Sequence, residues 1–292
     1  MTPPPDPRRP ELVSVLVVAR NAESTLSEQL EALARQTYDG AWELVVVDDH
    51  SEDRTVEVIA AAPEQLQQRM RFARNPGPTG QAVAHNFAAR VASGDLLACC
   101  DADDIVTPTW LAEIVSVARR AHQVGGYLET RLLNPGMGGG LPADELPTAH
   151  GLRYAVGANM AVWRDAFDDV GGFDEKYRRN QDVVLSVRLA DRGYTIAYAP
   201  RAIVQYRYRS TARGLARQYF AMGVASVQLY RDHRHRGADA EHEYAVREWR
   251  VLITRAPSVM RGTRAERLRW LARVSFRLGG LVGSARYRTW CP

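Results

Sequence analysis

The sequence predicts an α/β fold: a mainly parallel sheet flanked by helices, followed by a helical, arginine-rich C-terminal extension. Three observations carry this. Apolar runs of strand length alternate with segments of helical period, the pattern of βα units that build a parallel sheet covered on both faces. Acidic residues repeatedly follow those runs, at the strand ends where open α/β sheets gather their ligands. Charge is divided along the chain. Residues 201–292 carry 19 basic and 6 acidic side chains, a balance of +13, which leaves −9 for residues 1–200 within a net charge of +4.

The elements follow in order. Met1 to Pro10 is Pro-rich and polar with no apolar signal core, and reads as a disordered lead. Leu12–Ala19 is a β-branched apolar run. Thr25 with Glu28 gives a capping-box signature ahead of Leu26, Leu30 and Leu33 on one helical face. Trp42–Val47 is a second strand ending in Asp48 and Asp49, and a helix is expected over Ser51–Ala62, stopped near Pro63 and capped by Ser51 or Asp53. A weak strand at Met70–Ala73 leads through the turn-rich Asn75–Gly80 to a helix over Gln81–Ala92, closed by Gly94. Leu96–Cys100 is the next apolar strand and runs into Asp101, Ala102, Asp103 and Asp104.

Tyr127–Leu133 and Gly157–Trp163 read as further strands, separated by the aperiodic, Gly- and Pro-rich Asn134–His150. Asp182–Arg192 has helical spacing and a Gly193 stop. Thr195–Tyr198 and Ala202–Tyr208 read as two short closing strands, and beyond Ser210 the chain turns helical and arginine-rich.

Several classes are disfavoured. Arginines interrupt every apolar stretch before it reaches the roughly 18 to 20 residues of a spanning helix, so a soluble, cytoplasmic chain is expected. Cys99, Cys100 and Cys291 are odd in number and two are adjacent in an apolar run, which argues against a disulfide framework or a cysteine zinc site. Gly136-Met137-Gly138-Gly139-Gly140 lacks the last glycine of a dinucleotide fingerprint, against hydride transfer. His233-Arg234-His235 has no companion ligands and reads as a solvated helix end.

Asp101 and Asp103, two apart on an extended segment, project to one side. Hard oxygens without Cys or His suit Mg²⁺ or Mn²⁺, which take one or two carboxylates plus substrate phosphates. By itself such a triplet is also compatible with a solvated loop. After Asp48 and Asp49, Ser51, Asp53 and Thr55 can cap the next helix through their side-chain oxygens, while the two carboxylates at the mouth of the sheet can accept hydrogen bonds from a base N–H or ribose hydroxyls.

The runs VSVLVVARN, ELVVVDDHSEDRT, GQAVAHNFAARVASGDLLACCDADD, GANMAVWRDAFDDVGGFDE and QDVVLSVRLADRGY, spread over about residues 12–210, together resemble the family 2 inverting glycosyltransferases of the GT-A fold. The resemblance implies a Rossmann-like sheet and transfer of one sugar from a nucleotide-diphosphate sugar, UDP-linked, to a hydroxyl acceptor that is a saccharide, lipid-linked or a small molecule. It places nucleotide binding on Ala19, Arg20, Asn21, Asp48, Asp49 and Asp101, and Mn²⁺ or Mg²⁺ on Asp103 with Asp101. The family's Glu-Asp pair falls on Gln181 and Asp182, which leaves Asp182 as the catalytic base and the first acid absent. Its histidine near the last core strand is also absent; Arg207 or Arg209 stands there for the diphosphate, unless both are surface ion-pairing groups.

The resemblance further implies a catalytic domain over 11–210, with a nucleotide-binding half at 11–104 and an acceptor and catalytic half at 105–210, then the basic extension at 211–292. Residues 134–150 would form a lid over the acceptor. The extension would pack on the catalytic domain, form a homodimer, or lie on an anionic membrane with Trp270, Leu271 and Phe276 inserted. No nucleic acid partner is expected. Two alternatives stay open: a catalytically degenerate nucleotide-sugar-binding module, and a sugar-phosphate nucleotidyltransferase, which would want a Gly-rich phosphate loop where Ala19-Arg20-Asn21-Ala22-Glu23 stands.

Overall fold

The computed structural model describes residues 8–137, 144–236 and 242–291. The chain divides into two compact units: Met1–Glu129, Leu141–Pro147 and Arg153–Tyr206 in the first, and Thr130–Gly140, Thr148–Leu152 and Arg207–Pro292 in the second.

The first unit runs β1 (Val13–Ala19), α1 (Leu26–Ala34), β2 (Trp42–Asp48), α2 (Thr55–Ala60), α3 (Glu64–Gln67), β3 (Met70–Arg74), α4 (Gln81–Val91), β4 (Leu96–Cys100), β5 (Ile105–Val106), α5 (Trp110–Ala118) and β6 (Gln123–Glu129). After a hairpin of β7 (Thr148–Ala149) and β8 (Leu152–Arg153), whose residues up to Leu152 belong to the second unit, the first unit continues with β9 (Asn159–Trp163), α6 (Arg164–Asp169), α7 (Gln181–Asp191) and β10 (Ile196–Gln205). The main sheet has the order β3-β2-β1-β4-β9-β6-β10-β5. Its first four strands are parallel, β6 and β10 are parallel, and β9 runs antiparallel to both β4 and β6. β1, β2 and β4 are buried almost throughout, as largely apolar strands between two helical layers must be, and the buried Ser14 hydroxyl of β1 donates to Glu43 of β2 at 2.7 Å. Leu26, Leu30 and Leu33 point from α1 into that core.

Several local expectations are corrected. Thr25 is the N-cap of α1, but its side chain makes no cap bond, because its backbone (φ −131°, ψ −31°) is not the extended conformation a capping box needs. The helix expected from Ser51 begins only at Thr55, since residues 51–53 bond to another loop, and Pro63 starts a separate short helix. Gly94 does not cap α4, which ends on extended Ala92. It is glycine because a Cβ would collide with the Leu12 carbonyl. Arg164 caps α4 instead, donating to the carbonyls of Ala89, Ala92 and Gly94. β6 starts four residues earlier than expected, and one strand, β10, replaces the two closing strands.

β10 stays continuous by a register shift against β6 between Ala199 and Ile203. Buried Asn159 fills the irregularity: its amide donates to the Tyr127 and Ala202 carbonyls at 2.9 and 2.8 Å, and its Oδ1 accepts the Trp110 indole N–H at 2.8 Å. Gly126 must lack a Cβ, which would overlap both Asn159 and the Ala202 carbonyl.

The second unit holds three long helices: α8 (Ala212–His233), continued by a short 3₁₀ turn (Arg234–Arg236), α9 (His242–Arg261) and α10 (Arg264–Tyr287). Thr263 and Glu266 form a full capping box at the start of α10. Gly223 of α8 lies on the Phe276 carbonyl and Gly279 of α10 on the Phe220 carbonyl, so the two helices meet backbone to backbone. α9 joins α10 through Arg273, which grips Glu248 with contacts of 2.7 to 3.1 Å, and through the Trp270 indole on the Leu252 carbonyl at 3.0 Å. His233 is buried at the end of α8 while His235 is exposed, so only His235 occupies the solvated position expected of the pair. Among the described residues no helix is long and apolar enough to cross a membrane.

Replacing Asn159 strands three buried polar partners, each worth about 1 kcal/mol or more when left unsatisfied. Asn159→Ala is expected to lose at least about 3 kcal/mol, read in urea unfolding as a lower midpoint at unchanged slope.

Candidate active site

The site is assembled at the strand ends of the first unit. After β1 and β2 the chain turns through two left-handed residues, Asn21 (φ 50°) and His50 (φ 62°). Asn21 donates its N–H to Ser51 Oγ at 3.0 Å and accepts the Glu52 N–H at 2.9 Å. Ala22 donates to Thr55 Oγ1 and Glu23 to Asp53 Oδ2. Ser51 and Asp53 thus fasten the Arg20–Glu23 loop, although Asp53 Oδ1 also accepts the Thr55 N–H. Arg20 is exposed and Ala19 is buried at the strand tip.

Asp48 and Asp49 are both buried. Asp49 accepts the Asn75 amide at 2.7 Å and the Gly80 N–H at 3.1 Å, one on each oxygen, and its own N–H donates to the Ala19 carbonyl. Its carboxylate therefore organises the Asn75–Gly80 loop, a structural task beside the base or ribose contact expected of it. Asp48 accepts the Ser51 N–H through Oδ1 at 3.3 Å.

Beyond β4, Asp101, Asp103 and Asp104 each place a carboxylate oxygen within 4.8 Å of the other two, the one such group of His, Cys, Asp and Glu among the described residues. The two-residue alternation singled out only Asp101 and Asp103. The segment is a turn rather than an extended strand, which brings Asp104 round to join them. Three hard oxygen donors with no Cys or His fit Mg²⁺ or Mn²⁺. Gln29, fully buried on α1, holds the turn from both sides, donating to the Asp101 carbonyl and accepting the Val106 N–H, each at 3.0 Å. Its only sequence signal is a polar side chain on the leucine face of α1.

Asp182 sits in the first turn of α7, after the left-handed Asn180 (φ 61°). Its Oδ2 accepts the Gly157 N–H at 3.0 Å and its Oδ1 the Val183 N–H at 2.9 Å. Burial pushes the carboxyl above its ordinary pKa, and those two hydrogen bonds only partly oppose the rise. Ser186 donates to the Asp182 carbonyl and accepts the Ala155 N–H, fixing residues 155–157 against α7. The register decides where this base lies. Cys100 is opposite Asn159, so Asp101 and Gly157 leave the same edge of the sheet, and the aspartate turn and the anchor of Asp182 share it.

Gln181 is 93% buried and its Oε1 has no hydrogen-bond partner. Arg207 and Arg209 follow β10 and belong to the second unit. The centre of the expected lid, residues 138–143, lies outside the described residues, as do Gly138, Gly139 and Gly140 of the glycine run. On its described flanks, Asn134 accepts the Tyr208 N–H and His150 meets Ser226 Oγ, both at 2.7 Å.

Residues 14–133 match the model of Glycosyl transferase family 2. Glycosyltransferase AglE of Haloferax volcanii is 27% identical over 75% of this chain and 74% of its own length. The UDP-Glc:alpha-D-GlcNAc-diphosphoundecaprenol beta-1,3-glucosyltransferase WfgD of Escherichia coli is 38% identical over 35% of this chain and 37% of its own. The chain spans only 25% and 37% of the length of two other curated relatives. Among solved structures, mannosyltransferase PcManGT from Pyrobaculum calidifontis, in complex with GDP-Man and Mn²⁺, superposes with a TM-score of 0.67 at 19% identity, covering 95% of this chain and 89% of that one. That likeness shows a shared fold.

A carboxyl whose folded pKa is raised stabilises the fold while protonated, and that contribution is lost as pH rises through the folded value. At neutral pH the charged Asp182 is therefore a cost to stability, so as pH rises above the ordinary aspartate range the melting temperature of the parent is expected to fall relative to that of Asp182→Asn, whose amide keeps one of the two N–H contacts and does not titrate. Thermal unfolding of both as a function of pH checks this.

Proposed function

We propose that this chain, which has the GT-A fold and whose residues 14–133 match glycosyl transferase family 2, moves one sugar from a nucleotide-diphosphate sugar to an acceptor hydroxyl with inversion at the anomeric carbon. The observation that carries the reading is the placement of Asp182. A partly buried carboxylate of raised proton affinity is held by the Gly157 N–H on the sheet edge that also bears Asp101, Asp103 and Asp104.

Asp182 acts as general base. As the acceptor oxygen forms its bond to the anomeric carbon and the bond to the diphosphate breaks, the hydroxyl proton passes to the Asp182 carboxylate. One displacement from the face opposite the leaving group inverts the centre. Raised proton affinity suits this role, because a base works best when its pKa approaches the working pH. Gly157 and Ser186 keep the carboxylate aimed, and buried Gln181 brings an unpartnered amide oxygen that a sugar or acceptor hydroxyl can satisfy. Asp48 takes the base or ribose of the nucleotide, with Ala19, Arg20 and Asn21 lining the same end of the sheet, and Asp49 acts there by shaping the Asn75–Gly80 loop. Arg207 or Arg209 is assigned to the diphosphate on residue chemistry alone.

Asp103 with Asp101, joined by Asp104, would hold Mn²⁺ or Mg²⁺, and Gln29 sets the turn that presents them. When bound, such an ion supplies Lewis-acid neutralisation of the charge developing on the departing diphosphate. The donor is taken as UDP-linked, in keeping with the UDP-Glc in the name of the 38% identical relative, although the solved fold neighbour carries GDP-Man. The same relative acts on a lipid-linked diphosphate, which keeps such an acceptor in view beside saccharides and small alcohols.

Nucleotide release from a panel of UDP- and GDP-sugars, with Mn²⁺ or Mg²⁺ and with and without acceptors, tests the reading; a protein that binds nucleotide sugar yet never turns over would be the degenerate module instead. Asp182→Asn is expected to lower kcat about 10²- to 10⁴-fold with nucleotide affinity unchanged, whereas Asp103→Ala weakens both. Because the base must be ionised, kcat/KM should fall on the acid side through a pKa above the ordinary aspartate value of about 3.9. Parent-like turnover in Asp182→Asn removes the base assignment.

A further inference from the structure

We propose that the outward face of α9 in the second unit docks on an anionic lipid bilayer, lying along its surface without crossing it. The inward side of α9 is set by buried Ala245 and Leu252. About a quarter-turn round the helix from that side, Val246, Ile253 and Met260 recur every seven residues and are 67%, 68% and 52% exposed. At 100° per residue they form one stripe about 20 Å long, which exposed Pro257 completes. Three large apolar side chains in a row, open to water, are more than scattered surface residues and call for a cover.

The border of the stripe says what the cover is. Arg250 and Arg261 lie about 40° and 60° round the helix from Val246, with Arg247 just beyond; all three are exposed and outnumber the one acid on that border, Glu243 at about 60°. A cavity of about 440 Å³ opens on this face, lined by Glu243, Val246, Arg247 and Arg250. An apolar ridge with a guanidinium flank is the arrangement of a helix lying in a bilayer interface: the ridge enters the acyl boundary while planar Arg forks meet lipid phosphates. Residues 201–292 as a whole carry +13, so an anionic surface is the complementary one. A second copy of the chain fits poorly. An isologous pair would set three arginines and one glutamate against the same set, a net positive border on a net positive border. Nucleic acid would match the arginines but leave the ridge without a use.

The residues differ from those the sequence suggested for insertion. Trp270, Leu271 and Phe276 are partly buried, with the Trp270 indole bonded to the Leu252 carbonyl and the Phe276 carbonyl under Gly223. The inference is independent of the proposed activity, since it concerns binding alone.

Flotation with vesicles of phosphatidylglycerol mixed with phosphatidylcholine, against phosphatidylcholine alone, tests it. The parent chain should float with the anionic vesicles, much less with the neutral ones, and be released by raised salt. Ile253→Asp should weaken binding at least tenfold, and Arg247→Ala and Arg250→Ala about fivefold each, from about 1 kcal/mol per arginine near an anionic surface. Arg35→Ala, an exposed arginine of α1 in the first unit, should change nothing. Circular dichroism confirms that each variant is folded. Failure of the parent chain to float with anionic vesicles overturns the proposal, as does binding that Ile253→Asp leaves intact. A dimer seen by light scattering and broken by Ile253→Asp, with no flotation, would give the face to a second copy and overturn it equally.

Discussion

The reversed strand β9, wedged between β4 and β6, is the constraint on which the rest of the first unit depends. Running against β4, it brings the chain ahead of Asn159 back to the edge where β4 releases Asp101, and so delivers Gly157 to the place where Asp182 needs a donor. A parallel strand there would have put that segment at the far end of the sheet. Asn159 keeps the insertion in register: one amide satisfies two carbonyls at the β6–β10 irregularity and receives the Trp110 indole, in a spot where Gly126 leaves room for nothing larger. The chemistry at the edge is thus underwritten by a buried polar network with every partner in place, the condition under which such networks rigidify a core.

Around that edge, loops are tied to one another rather than to their own helices. Asn21, Ala22 and Glu23 bond across to Ser51, Glu52, Asp53 and Thr55, Asp49 secures Asn75–Gly80, and Gln29 grips Asp101 and Val106. Side chains that look like helix caps have been diverted to hold the strand-end loops in place. The raised pKa of Asp182 belongs to the same logic: burial that disfavours its charge makes it a better proton acceptor at some expense in stability.

The parallel core was legible because its signal is local. β1, β2 and β4 are predominantly apolar runs, and the acidic residues that end β2 and follow β4 needed no knowledge of distant partners to be noticed. What escaped depends on contacts far along the chain. Gln29 meets residues 72 and 77 positions away, and Asn159 meets a partner 49 positions before it, so neither stands out from its neighbours in sequence. The Thr25 capping box had the right letters but the wrong backbone, whereas the same pattern at Thr263 and Glu266 closed fully. In the extension, composition announced basic helices, but which face of α9 is hidden depends on Arg273 and Trp270 of α10, which meet Glu248 and Leu252 and leave the Val246–Met260 stripe outside.

The claim at the centre is that one sheet edge holds both ends of a single displacement. Anomalous diffraction from crystals soaked with Mn²⁺ and an unreactive nucleotide sugar measures it directly. The expected map puts the metal peak against Asp103 and its neighbours, the diphosphate on that side of the anomeric carbon, and the Asp182 carboxylate on the other. A sugar whose anomeric carbon turns away from Asp182, with the metal seated elsewhere, would contradict the account.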